Sequence, residues 1–274
     1  MALEKIMQNQ CGMQSCSCSI DEAEKARIDT YNSTEGNLQG YDCPDCMNRG
    51  KFAYMREDGS VGFIDCKCLK IRQYISKMKR SGMGEAIKRF TFENFIDTEP
   101  WQKKMKQGAM EYAVHSKGWI LFCGQCGCGK THLCTAVANT LLLSGYDVQY
   151  MPWRTDTAML KELSMTGEGA KREKYMDKLR EVTVLFIDDF FKTGQQTDGS
   201  KKPTVADINI AFDIINYRYT KELKTIISTE LLPSELAGID EATCGRIVEM
   251  AGNNVFAIAR DFHRDYRFKN CKTV

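Results

Sequence analysis

Gly124-Gln-Cys-Gly-Cys-Gly-Lys130-Thr131 fits the spacing G-x-x-x-x-G-K-[ST] of a phosphate-binding loop. Glycines let the backbone turn tightly and aim its N–H groups at phosphate oxygens. The positive end of the helix that follows adds to the attraction. Gly124, Gln125, Cys126, Gly127, Cys128, Gly129, Lys130 and Thr131 are therefore the candidate nucleotide-binding residues. Lys130 would reach the β- and γ-phosphates of ATP, and the Thr131 hydroxyl would ligate Mg2+. About sixty residues downstream, Val182-Thr-Val-Leu-Phe-Ile-Asp188-Asp189 is an apolar run that ends in two carboxylates. Alone such a run is common. After a phosphate loop it reads as the Walker B partner motif, with Asp188 holding Mg2+ through water and Asp189 orienting or deprotonating an attacking water.

A second constellation lies nearer the N-terminus. Cys43-Pro-Asp-Cys46 and Cys66-Lys-Cys68 are separated by nineteen residues. Two close pairs of thiolates can complete a tetrahedral Zn2+ shell, and with no position left open such a site is structural; the alternative is four free thiols. The second pair is C-x-C rather than C-x2-C. Residues 50–64 alternate well enough for a β-hairpin turning at Asp58-Gly59-Ser60, which would bring the pairs together. A module this small cannot bury much core, so metal would supply most of its folding free energy. Cys11, Cys16 and Cys18 form a looser group in a polar stretch that reads either as a second metal site or as a disordered or partner-binding tail.

The chain has 274 residues, 43% hydrophobic and 27% charged, which suits one large domain and a small one. No apolar run approaches the roughly 18 residues of a membrane span, and the N-terminus lacks a signal-peptide core. The expected location is the cytoplasm. There thirteen cysteines mean metal ligands and free thiols rather than disulfides. The net charge of +2 says little, but between Lys67 and Arg89 eight basic residues face one acid, Glu85. That stretch is either a solvated face or a contact for a polyanion.

The elements that must position these residues alternate between strand-like and helix-like from about Lys88, the pattern of a parallel sheet covered by helices. Helices are predicted over 103–116, 131–143, 154–163, 170–180 and 203–219, and strands over 119–123, 147–151, 182–187, 224–229 and 254–259. Phe190-Phe191 would either stack on the bases of a nucleic acid or pack at the sheet edge. They lead into a polar loop over 192–202, and a charged tail over 260–267 follows the last strand. The predicted organisation is a tail over 1–40, a zinc module over 41–80, a linker and first helix over 81–117, and an ATPase domain over 118–274.

Together the cysteine pairs, Arg89-Phe-Thr-Phe-Glu-Asn-Phe95, Gly124–Thr131, Leu185–Asp189, Thr225–Glu230 and Gly245-Arg246-Ile247 resemble the DnaC/DnaI group of helicase loaders, phage and mobile-element versions above all. The resemblance covers the chain from about Tyr41 and implies an AAA+ P-loop core with a parallel sheet and no separate helical lid. It implies an ATPase that uses ATP, Mg2+ and Zn2+ to deliver a hexameric, DnaB-type replicative helicase onto single-stranded DNA, turning over weakly and with DNA stimulation. Its N-terminal region would grip the helicase. ATP-bound subunits would associate with one another, Arg246 serving as an arginine finger to a neighbour. Lys130, Asp188, Asp189 and Arg246 are then the catalytic set. The family's sensor position often carries Asn; here the tripeptide is Ser228-Thr229-Glu230, and Thr229 is the expected sensor. Arg267 is a weaker candidate for a phosphate contact. Two other functions fit parts of the pattern: an IstB-type transposition helper, against which the cysteine module argues, and a zinc adaptor that binds nucleotide without turnover, against which Asp189 argues.

Overall fold

The computed structural model describes residues 22–80, 86–115, 117–194 and 202–268. Cys11, Cys16, Cys18 and most of the polar loop over 192–202 lie outside them. The chain divides into two compact units, Met1–Leu69 and Lys70–Val274.

In the first unit, helix α1 (Glu22–Ser33) occupies part of the stretch read as a tail. It is fastened to an antiparallel hairpin of β1 (Lys51–Met55) and β2 (Val61–Asp65). The Asn32 amide donates to the Ala53 carbonyl at 2.8 Å and accepts from the Ala53 N–H at 3.0 Å, satisfying both groups as a neighbouring strand would. The hairpin turns where expected. Asp58 accepts from the Ser60 N–H and hydroxyl, and Gly59 takes the left-handed φ of 81°.

The second unit is built on a five-stranded, wholly parallel sheet in the order β4-β5-β6-β3-β7. The strands are β3 (Trp119–Gly124), β4 (Val148–Pro152), β5 (Val184–Asp188), β6 (Lys224–Thr229) and β7 (Val255–Ile258). β3 and β5 are buried at every position, as strands covered on both faces must be, which is why they read as unbroken apolar runs. The helices are α2 (Cys68–Arg80), α3 (Ala86–Arg89), α4 (Pro100–His115), α5 (Lys130–Leu143), α6 (Trp153–Met165), α7 (Gly169–Glu181), α8 (Val205–Thr220), α9 (Pro233–Ala237) and α10 (Glu241–Ala251). One core cluster joins Trp119, Leu121, Leu185, Ile187 and Ile227 of the sheet to residues of α6, α7, α8 and α10. Two ion pairs tie α2 to the segment around β4: Lys70 with Asp147 at 3.3 Å and Lys77 with Asp156, on α6, at 3.1 Å. Beyond β7 the described residues form two 3-10 turns, Phe262–Arg264 and Tyr266–Phe268.

Arg218 on α8 is fully buried and, among the described residues, has no carboxylate partner in its hydrogen bonds. Its guanidinium donates to the carbonyls of Leu179, Arg180 and Val182 at the C-terminal end of α7, to the Lys224 carbonyl and to the Thr225 hydroxyl, at 2.5–3.1 Å. Burial pulls its pKa down to about 9, which still leaves it charged at neutral pH. The negative end of the helix and the carbonyl ring stand in for a counter-ion. Arg218→Met keeps the apolar volume but strands these acceptors; a loss of about 3 kcal/mol is expected, read as a lower urea midpoint at unchanged m-value.

Candidate nucleotide site and metal centre

Strand β3 delivers the chain to Gly124, and α5 begins at Lys130 with Gly129 as its N-cap. Gly124, Gly127 and Gly129 have φ of 95°, 70° and 93°, a region that side chains avoid. Space forbids a side chain as well. A Cβ would strike the Ile258 carbonyl at Gly124, the Asp265 carboxylate at Gly127 and the Phe95 ring at Gly129. The loop is pinned from outside. Gln125 N–H donates to the Ile258 carbonyl and its side-chain oxygen accepts from Asp261 N–H, both at 3.0 Å; Tyr266 N–H donates to the Gly127 carbonyl at 3.0 Å. Gly124 and Gln125 thus form the shoulder of the loop, whereas residues 126–132 line a cavity of about 340 Å³. Lys130 is buried and folded onto its own loop, donating to the carbonyls of Gly124 at 2.9 Å and Gln125 at 2.6 Å.

Asp188, at the end of β5, is the meeting point of three elements. Its carboxylate accepts from Thr131 of α5 at 3.0 Å, Ser228 of β6 at 2.5 Å and Tyr150 of β4 at 3.0 Å. Burial raises its pKa, and the neighbouring Asp189 pushes the same way; the three hydroxyl donors pull against them. Thr131 Oγ1 and Asp188 Oδ1 are as far apart as adjacent ligands of an octahedral ion with bonds of about 2.1 Å. The pair therefore suits Mg2+, held directly or through one of its waters. Asp189 faces the cavity. It takes a left-handed φ of 56°, and its N–H donates to Ser228 Oγ at 2.9 Å. Its Oδ2 accepts from Lys192 at 2.9 Å, and Lys192 also donates to Glu230 Oε1 at 2.9 Å.

The far wall comes from the Arg89–Phe95 segment. His132 stacks on Phe90 with centroids 4.7 Å apart and meets Phe95 edge-on at 5.2 Å, while a ring nitrogen pairs with the Thr91 carbonyl at 2.7 Å. Burial lowers the His132 pKa, which favours the neutral ring. Arg267 also lines the cavity, donating to Cys126 Sγ at 3.2 Å.

Thr229 and Arg246 do not line this cavity. Thr229 is fully buried and spends its hydroxyl on the Phe190 carbonyl and the Leu231 N–H. Strand alternation turns it away from the acid pair, and the residues on either side, Ser228 and Glu230, do the facing. Arg246 lies on the surface of α10, its guanidinium over the rings of Phe212 at 5.2 Å and Tyr219 at 5.7 Å, and it does not line the cavity. Phe190 and Phe191 are buried against Trp153, so they pack rather than offer stacking faces. Sequence reasoning missed Tyr150, Ser228, Lys192 and Glu230. Strand parity around Asp188 would have exposed Ser228; nothing local marks the others.

The four cysteines of the first unit converge. Cys43, Cys46, Cys66 and Cys68 are buried, with all sulfurs within 4.8 Å of one another. The Cys43–Cys66 separation is 3.8 Å and the Cys46–Cys68 separation 3.5 Å. Thiolates about 2.3 Å from a tetrahedral zinc lie about 3.8 Å apart, so the cluster fits that ion. Burial opposes ionisation of Cys46, but the Gly50 N–H and the neighbouring thiols bring its pKa down to about 7.

The family of the bacterial DnaA ATPase domain matches residues 87–250. The phage-like element PBSX protein XkdC of Bacillus subtilis (strain 168) is 29% identical over 252 residues, covering 87% of this chain and 91% of its own. The replicative helicase loader DnaC of Buchnera aphidicola subsp. Baizongia pistaciae (strain Bp) is 27% identical over 126 residues, 45% of this chain and 50% of that protein. A crystal structure of the DnaC helicase loader has the same fold, with a TM-score of 0.51 at 20% identity over 61% of this chain and 96% of that one. With more than half its length matched, and a phosphate loop and acid pair on a DnaC-like AAA+ sheet, the chain belongs to the family of the bacterial DnaA ATPase domain.

Proposed function

We propose that this protein is an ATP-driven loader that delivers a hexameric, DnaB-type replicative helicase onto single-stranded DNA. The observation that carries the reading is the contact between Thr131 and Asp188, which joins the phosphate cradle to the acid pair within one cavity. Family membership supports ATP use, and the likeness to the replicative helicase loader of Buchnera supports the loader role.

On this reading Lys130 leaves the carbonyls of Gly124 and Gln125 for the β- and γ-phosphates. Thr131 and Asp188 hold Mg2+, which screens the phosphate charge. Asp189 orients the attacking water. The water oxygen bonds to the γ-phosphorus, the bond to the β–γ bridging oxygen breaks, ADP departs with that oxygen, and the water's proton passes to Asp189. Arg246 completes the site of a neighbouring subunit, so ATP-bound copies associate. Cys43, Cys46, Cys66 and Cys68 would hold a zinc ion that serves as a structural crosslink.

Three measurements test the reading. Lys130→Ala should lower ATP turnover by at least about 100-fold and abolish helicase transfer to single-stranded DNA; a variant that loads helicase as well as its parent overturns the mechanism. Arg246→Ala should cut kcat by about 10³- to 10⁵-fold while the ATP affinity measured at low protein concentration stays put. Metal analysis should find one zinc per chain. Cys46→Ser should lose it, along with protease resistance over 41–69, and should still bind ATP.

A further inference from the structure

Lys192 is unexplained by the catalytic set, yet it holds one of its members. Its ammonium sits 2.9 Å from Asp189 Oδ2 and 2.9 Å from Glu230 Oε1, and all three residues line the cavity that the phosphate loop lines. The backbone beneath is rigid. Asp189 and Phe191 take left-handed φ of 56° and 60°, the Lys192 N–H closes a turn onto the Asp189 carbonyl at 2.8 Å, and Phe190 and Phe191 are locked against Trp153. The Lys192 side chain, by contrast, is 43% exposed, so its four-carbon stem is the part free to swing. Its partners hold the ammonium firmly: burial would lower its pKa, but Glu230 and Asp189 outweigh burial and push it up to about 12.

We infer that Lys192 is the positioning residue for Asp189 and the group that distinguishes a triphosphate from a diphosphate. While the γ-phosphate is absent, it clamps the Asp189 carboxylate beside Glu230. A γ-phosphate draws the ammonium onto its oxygens, and Asp189 turns to the attacking water. Glu230 stays with Lys192 and offsets its charge, which explains how a carboxylate is tolerated beside an anionic ligand. A diphosphate lacks the oxygens that would compete, so it leaves the clamp shut. An ammonium has three donors and no acceptor, so it can pass from carboxylate to phosphate without losing its bonds to both acids at once. The inference rests on reading the cavity as an ATP site, and it moves the sensing role from Thr229 to the Lys192–Glu230 pair.

The test is calorimetric titration of the full, zinc-loaded chain with Mg-ADP and with a non-hydrolysable Mg-ATP analogue, at a chain concentration where copies do not associate. Lys192→Met should weaken the ATP analogue about tenfold relative to ADP, and Lys192→Arg should restore most of the difference. Glu230→Gln leaves the ammonium's charge without that offset and should shift the ratio the other way. A ratio unchanged in Lys192→Met with an unchanged melting temperature overturns the inference, as does a Glu230→Gln ratio that falls. If Lys192→Met does not fold, the Arg and Gln variants decide alone. Failure of the parent to bind either nucleotide sinks the ATP-site reading instead, a result distinguishable from failure of the clamp.

Discussion

A carboxylate buried at the end of a parallel strand must be compensated, and in this protein that requirement organises the site. Asp188 is 7% exposed, and hydroxyls from α5, β4 and β6 surround it. An unpartnered charge there would cost several kcal/mol. The same donors bring the first turn of the phosphate helix against the sheet and fix where Mg2+ can sit. Ser228 does double duty, since its oxygen also accepts from the Asp189 N–H and so aims the second acid. The acid pair is thus one arrangement: the first member is buried and hydrogen-bonded, and the second is turned outward by a left-handed residue.

The glycine cradle was legible in the sequence because its constraint is local. Gly124, Gly127 and Gly129 combine left-handed φ with no room for a Cβ, which leaves only glycine as a choice, and spacing alone reveals it. The buried strands were legible too, because both faces are covered and the run is apolar throughout. The hairpin and the cysteine pairs followed from alternation and turn chemistry, and the structure brings the four sulfurs to metal spacing. What failed to show was pairing between distant segments. Lys192 and Glu230 are thirty-eight positions apart and meet only because β5 and β6 are neighbours. Thr229 was singled out by its place in a tripeptide, but a one-residue step along a strand reverses the direction of a side chain. α1 and α2 went unpredicted. α1 has scant amphipathic character and only Ile28 buried, so its sequence carried little signal. α2 is so basic that it read as a charged patch, although Ile71, Tyr74 and Met78 make a buried stripe along it.

The two units solve the stability problem differently. The first has a small two-stranded sheet, and its buried cluster is the cysteine set with Tyr41 and Phe52 packed against it. Such a core folds by crosslinking, and four converging thiols are suited to a metal ion that would do it. The second has a large two-sided core and buries a cation without an acid beside it among the described residues: Arg218 is compensated by backbone carbonyls and one threonine hydroxyl.

The fastening of the phosphate loop has a thermodynamic consequence. Backbone groups of Gln125 and Gly127 are already bonded to Ile258 and Tyr266, and the Gln125 side chain to Asp261. Ordering a glycine-rich segment normally costs entropy at the moment a ligand arrives. Here that loss is incurred when the polypeptide folds, so an incoming anion meets a receptor whose main-chain amides are preorganised, and little of its interaction energy is diverted to freezing them.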